Sequence, residues 1–332
     1  SGTSKTIQNE LIDSIAFVIN KKIENEISKS LFFCWQVDET TDINCHSQLS
    51  IIFRYIHEGQ PVERFMGFFD VSSGRSAEEL SQLLVTKFDK FDLNTKLVAQ
   101  TYDGAAVMSG ELNGLQSKIK SVAPQALFTH CYAHAFNLVL SGACSSIQSI
   151  RVFFATLSGF SSYFSKSTKR THVLDEICGR RLPTNVVTRW NFTSRAVLTV
   201  HNNKDKLLEV FDFIINSREF DDASIRGAVG LKGFLENYQN LFFLETFVLI
   251  FQQTDTVFSI LQSKFTDILR ARNLLLTTLD KLREFRSSDN FFNKIYEKLD
   301  IDNLPPKRRK GNEINDKQQQ LRQIFFEILD II

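Results

Sequence analysis

The chain has 332 residues, 43% of them apolar and 23% charged, with a formal net charge of +1. That balance supports a packed core and argues against wholesale disorder. The near-zero charge leaves any nucleic-acid binding to a local patch. No uncharged apolar run reaches about 18 residues, so no membrane span is expected.

Five cysteines, Cys34, Cys45, Cys131, Cys144 and Cys178, are odd in number and widely spaced. This argues against a disulfide framework and for a reducing compartment. The first residues, SGTSKTIQNELIDSIAF, lack a signal-peptide layout. The chain starts without Met and stops inside a helical pattern, FFEILDII. It is therefore expected to be a fragment of something longer. Phe occurs 31 times against 2 Met and 2 Trp, mostly in helical-looking segments, where it reads as core filler.

In chain order, residues 5–30 place Ile7, Leu11, Ile15, Val18 and Ile19 at a helical period. Residues 31–37, LFFCWQV, read as a buried strand closed by Asp38 in DETTD. A hairpin follows, with strands near 48–57 and 62–71 and a turn at Glu58–Pro61. SAEELSQLLVTKFDKF predicts a helix with Ser76 as N-cap and Glu79 completing a capping box. KLVAQTYDG is a short strand ending at Asp103, SGELNGLQSKIKSV a helix, and ALFTHCYAHAFNLVL a strand turning into a helix.

From about residue 133 onward only helical periodicity is found. Residues 195–300 are expected to hold no sheet, with Phe211, Phe242, Phe243, Phe247 and Phe251 buried. LPPKRRKGNEINDKQQQ reads as a linker or exposed loop. The expected class is α/β followed by all-α. It comprises an N-terminal helix (1–30), a mixed-sheet core (31–190) and a helical domain (191–332) cut short at its C-terminus.

An Asp after a strand is ordinarily a turn former or helix cap. Here one acid ends the first strand, a hairpin and helix intervene, and a second acid ends the next strand. If those strands are neighbours, Asp38 and Asp103 emerge at one sheet edge. Two close carboxylates repel unless a cation lies between them, and Mg²⁺ and Mn²⁺ prefer such oxygens.

Cys131 and His134 form a C-x-x-H pair in HCYAHAF. It reads as half a zinc site, as support for an active site, or as packing of Cys131 in the sheet with His134 opening a helix. No second pair at zinc spacing accompanies it. Arg189 and Trp190 in TRWNF read as a helix start with an aromatic anchor or as a phosphate-and-base contact. KSTKRTH (166–172) and CGRRLPTNVVTRW (178–190) are basic stretches suited to tracking a DNA backbone. KRRK (307–310) reads as a nuclear-localisation or phosphate-contact patch.

Four separated motifs, DETTD (38–42), TYDGAAVMSG (101–110), HCYAHAFNLV (130–139) and TRWNF (188–192), resemble in content and order the hAT-superfamily transposases. They are most similar to the transposase-derived domains of zinc finger MYM-type proteins. The resemblance spans roughly residues 30–332. It implies a ribonuclease H-like mixed sheet with flanking helices followed by an all-helical insertion domain. It also implies metal-dependent DNA cleavage and strand transfer with Mg²⁺ or Mn²⁺, held by two Asp and one Glu.

The first two acids map onto Asp38 and Asp103. Cys131, His134, Arg189 and Trp190 map onto positions supporting the DNA near the cut. The family's Glu lies beyond the helical insertion; neither Glu236 nor Glu245 matches its context, so the site is expected to be incomplete here. Implied partners are transposon-end DNA in the nucleus, and a further copy or other proteins through the helical domain. The alternative is a domesticated, non-catalytic interaction or DNA-binding module.

Overall fold

The computed structural model describes residues 4–42, 46–183, 190–263, 267–299 and 313–332. The chain divides into two compact units, Ser1–Ala135 and Phe136–Ile332.

The first unit opens with helix α1 (Lys5–Lys29), whose Ser4 hydroxyl accepts from the Ile7 amide at 3.3 Å. Strands β1 (Phe33–Thr41), β2 (Ser47–His57) and β3 (Gln60–Asp70) form an antiparallel meander. Glu58 and Gly59 both have positive φ, 51° and 75°. That suits a two-residue hairpin turn, so β3 begins at Gln60 and takes in Pro61, on an edge strand that tolerates a missing donor. Helix α2 (Ala77–Phe88) carries the expected capping box of Ser76 and Glu79. A 3-10 turn (Asp89–Phe91) and short helix α3 (Leu93–Lys96) lead into β4 (Leu97–Tyr102).

The single helix expected over 109–122 is instead α4 (Ala106–Ser109) and α5 (Leu115–Val122). Gly110 and Gly114 part them by a close backbone approach, where a Cβ on Gly114 would lie 2.4 Å from the Gly110 nitrogen. β5 (Leu127–His130) then runs into α6 (Tyr132–Ser146).

Among the described residues the sheet order is β3-β2-β1-β4-β5, with β1, β4 and β5 parallel. β1 extends past the expected end at Val37 to Thr41. β2 keeps pairing with it through Thr41↔Ser47, and Thr40 and Thr41 are β-branched residues suited to a strand. Asp38 thus lies inside β1 rather than closing it.

One sheet face is core. Trp35, Leu49, Ile51 and Phe53 are fully buried with Leu80 and Leu84 of α2 and Ile27 of α1. Phe33 stacks on Phe53 at 4.8 Å. Each such buried side chain contributes about 1.5–3 kcal/mol.

The second unit is helical throughout its described residues. Its helices are α7 (Gln148–Ser165), α8 (Thr168–Cys178), α9 (Trp190–Asn202), α10 (Lys204–Asn216) and α11 (Asp222–Glu236). α12 (Tyr238–Leu261), α13 (Ile268–Ser287), α14 (Asp289–Lys298) and α15 (Glu313–Ile331) complete it. Phe211, Phe242, Phe247 and Phe251 are 0% exposed and Phe243 1%, as the helical spacing requires. Phe153 of α7 packs on Phe234, Phe243 and Phe247. Residues 147–178 therefore share the helical core. α12 alone among the described helices is long and apolar enough to cross a membrane, and 61% of its apolar window is buried inside the protein.

Candidate functional site

The parallel pairing of β1 with β4 places Trp35 opposite Gln100 and Gln36 opposite Thr101. The ladder ends at that pair; Asp38 lies two residues further along β1, and Asp103 follows the last residue of β4. Neighbouring strands lie about 4.8 Å apart, so residues facing each other across them are close. Trp35, Val37, Gln100 and Tyr102 are all buried, and alternation along β1 turns Asp38 to the other face. Asp38 is exposed and Asp103 partly buried.

β5 extends the row. Tyr102 pairs with His130, and the next residue, Cys131, donates its amide to the Tyr102 carbonyl at 2.9 Å. Cys131 starts α6, its carbonyl accepting from the Ala135 amide at 2.9 Å. His134 follows three residues on, on the same helix face. Asp103 and Cys131 thus directly follow β4 and β5, His134 lies in the first turn of α6, and Asp38 lies inside β1, the strand beside β4.

Two other acids of DETTD have structural partners. Glu39 pairs with Arg75 at 2.5 Å. Asp42 accepts the His46 amide at 2.8 Å across the hairpin end. Asp103 also serves its turn, Oδ1 accepting the Ala105 amide at 3.2 Å, as an Asx turn does.

Beneath the row lies a buried polar chain that the sequence reading missed. Trp35 Nε1 donates to the Tyr102 hydroxyl at 3.0 Å, which donates to Gln100 Oε1 at 2.8 Å. Gln100 Nε2 donates to the carbonyls of Gln116 and Ala126. Burial pushes the Tyr102 phenol far above its usual range, although its bond with Trp35 works the other way. The phenol thus stays a neutral donor. The β1–β4 ladder has an irregularity between Phe33 and Cys34, and this chain bridges the two strands just beyond it. A Gln in the middle of an apolar strand was the available signal.

Cys34, also in β1, has a thiol pushed up first by burial, the character of a packing cysteine rather than a ligand. Among the described residues no group of three or more His, Cys, Asp or Glu side chains has metal-holding geometry. The pair Asp38 and Asp103 supplies hard oxygen donors of the kind Mg²⁺ and Mn²⁺ take, and two carboxylates with solvent suffice for a Mg²⁺ site. Arg189 lies outside the described residues, as do the Trp190 side chain and KRRK at 307–310.

The family described as ZMYM1/FAM200, RNase-like domain (DUF4371) matches residues 1–114. That segment carries Asp38 and Asp103 but ends before Cys131. The human 52 kDa repressor of the inhibitor of the protein kinase is 24% identical over 181 residues, covering 52% of this chain and 23% of that protein. The chain thus spans less than a quarter of the curated relative it matches. Strand order and the match over residues 1–114 agree, and this segment is a transposase-derived RNase-like domain of the ZMYM1/FAM200 type.

Proposed function

We propose that this chain is the core of a hAT-type, DDE-class DNA-processing module, acting on DNA in the nucleus. Asp38 and Asp103 would hold Mg²⁺ or Mn²⁺ between them. The observation that supports the reading is the parallel pairing of β1 with β4, the strand that carries Asp38 and the strand that Asp103 directly follows. A bound divalent ion supplies charge stabilisation for a phosphoryl group in transfer. Asp38 and Asp103 contribute the negative charge that retains the ion, and the Trp35–Tyr102–Gln100 chain keeps their strands in register. Cys131 and His134, at the neighbouring strand end, border the same edge and would contact the nucleic acid. Arg189 and Trp190 would add a phosphate and a stacking contact.

The second reading is a domesticated module that retains the fold and binds DNA or protein without cutting. It accounts for the absence, among the described residues, of a group of three or more His, Cys, Asp or Glu side chains able to hold a metal; a third acid outside this sequence accounts for it equally.

Mn²⁺ titration of this chain by electron paramagnetic resonance, paired with cleavage of labelled transposon-end DNA by the full-length parent, tests both. Under the first reading Asp38→Asn and Asp103→Asn each weaken Mn²⁺ binding by at least about tenfold and lower cleavage by orders of magnitude. DNA binding persists, because phosphate contacts come from basic residues elsewhere. Equal Mn²⁺ binding by wild type and both variants refutes the metal assignment. A well-folded parent that binds DNA but neither binds Mn²⁺ nor cleaves establishes the second reading.

A further inference from the structure

Helix α13 carries an apolar stripe on its open side. Ile268, Leu269, Leu275, Leu276 and Leu279 are 37% to 71% exposed. At 100° per residue these five fall within an arc of about 120°. The adjoining arc of the same helix is seated: Thr278, Leu282 and Phe285 are buried, and Phe285 packs on Phe291 of α14 at 4.5 Å. Arg286, in the last turn, is tied to Asp330 of α15. The stripe is therefore a ridge held rigid by its own helical unit. Contiguous exposed apolar side chains of this kind mark an interaction surface.

The charges within the stripe select its occupant. Arg272 lies on the centre line of the arc and Arg283 about 20° from it, and both are exposed. No acidic residue of α13 falls inside the arc. The nearest, Asp280, sits about 80° from the centre. It meets Arg283 at 3.4 Å with the two side chains 74% and 69% exposed, and such a pair contributes little. A second copy fits poorly. Antiparallel pairing about the middle of the helix sets Arg272 against Arg283, and parallel pairing sets each arginine level with itself. A nucleic-acid backbone would meet the arginines with its phosphates but leave the five apolar side chains uncovered. The complement is a helix with an apolar face and acids along its seam. The two arginines are eleven residues apart in sequence, about 16.5 Å along the axis, so the acids need the same spacing.

We infer that α13 is a docking element for an acidic amphipathic helix of a partner protein. The partner's apolar face covers the stripe, and its carboxylates meet Arg272 and Arg283. The inference stands independently of any metal or cleavage chemistry. One helix face makes a small interface, so the affinity is expected in the micromolar range.

Fluorescence anisotropy with the 332-residue chain tests it. The probe is a labelled helical peptide of about 18 residues, with leucines along one face and two glutamates eleven residues apart within that face. Its twin carries lysines in place of the glutamates. The glutamate peptide is expected to bind with a Kd between about 1 and 100 μM, and the lysine peptide at least about tenfold more weakly. Arg272→Glu combined with Arg283→Glu reverses that preference, and Leu276→Asp abolishes binding of both peptides. All three positions are exposed, so melting temperatures should stay at the wild-type value and serve as the folding control. No binding of the glutamate peptide up to about 100 μM, equal binding of the two peptides, or a preference that survives the charge reversal overturns the inference. Sedimentation of the chain alone, and with vesicles of anionic phospholipid, covers the other occupants. Dimerisation or vesicle binding that Leu276→Asp removes gives the stripe to a second copy or to a membrane surface, and overturns it equally.

Discussion

Arg64→Met removes one partner from the buried carboxylate of Glu26 while leaving the apolar stem to pack. Glu26 is 6% exposed. Its Oε2 accepts from the Tyr55 hydroxyl at 2.8 Å and from Arg64 Nε at 2.9 Å. Breaking a buried ion pair by deleting one member costs about 3–5 kcal/mol. The Arg64 side chain is 30% exposed, so solvent screening lowers the expected loss to about 2–3 kcal/mol.

The loss has a pH signature. Burial pushes the Glu26 carboxyl up, but hydrogen bonds from Tyr55 and Arg64, with the charges of Arg64 and His57, outweigh burial and hold it below the usual range. A depressed carboxylate contributes stability above its unfolded pKa of about 4.3, and loses it as pH falls through the folded value. The variant has less of this contribution to lose. The gap between wild type and variant is therefore widest near neutrality and narrows on acidification. Urea unfolding in a Trp190→Phe background, followed by the emission of Trp35, reads the first unit, since Trp35 is fully buried there. A gap below about 1 kcal/mol at neutral pH, or one that stays constant down to about pH 4, refutes the argument.

Three further outcomes are expected. A Cβ on Gly227 would meet Tyr163 Cε2 at 2.6 Å, and that ring is held by its hydroxyl bond to the Ser224 carbonyl at 2.8 Å and by Arg170 over its face. Gly227→Ala should thus destabilise by about 1–3 kcal/mol in thermal unfolding despite a gain in helix propensity. Phe247→Ala, which empties a site between Phe153, Phe154 and Phe251, should cost about 3–5 kcal/mol by calorimetry. Glu245 joins His201 of α9 at 3.0 Å to Lys298 of α14 at 2.8 Å. Burial raises the Glu245 carboxyl, but His201 and Lys298 bring it below its usual range. The hydrogen bond to Glu245 raises His201. The cluster's contribution therefore fades on acidification through Glu245 and on alkalinisation through His201. Glu245→Gln should flatten the stability profile between about pH 4 and pH 8 and lower its maximum by about 1–2 kcal/mol.

Local pattern carried much of the fold. The spacing of Phe242, Phe243, Phe247 and Phe251 made α12 legible as a buried helix, because periodicity alone fixes which residues share a face. Ser76 and Glu79 marked the start of α2 because a capping box is a local hydrogen-bonding device. The strand-end position of Asp103 was equally readable. Other features depended on contacts distant in sequence. β1 runs on to Thr41 because β2 continues to pair with it. The separation of α4 from α5 follows from two glycine backbones in close approach. That β1 pairs with β4 is a matter of register across residues 65 apart, secured by a Trp35–Tyr102 bond that no short window contains. The apolar period of α1 was plain in the sequence, but periodicity cannot say whether a face is covered. Only the tertiary structure shows Ile23 and Ile27 buried while Ile7 to Ile19 stand open, because burial depends on which neighbours the whole chain brings to that face.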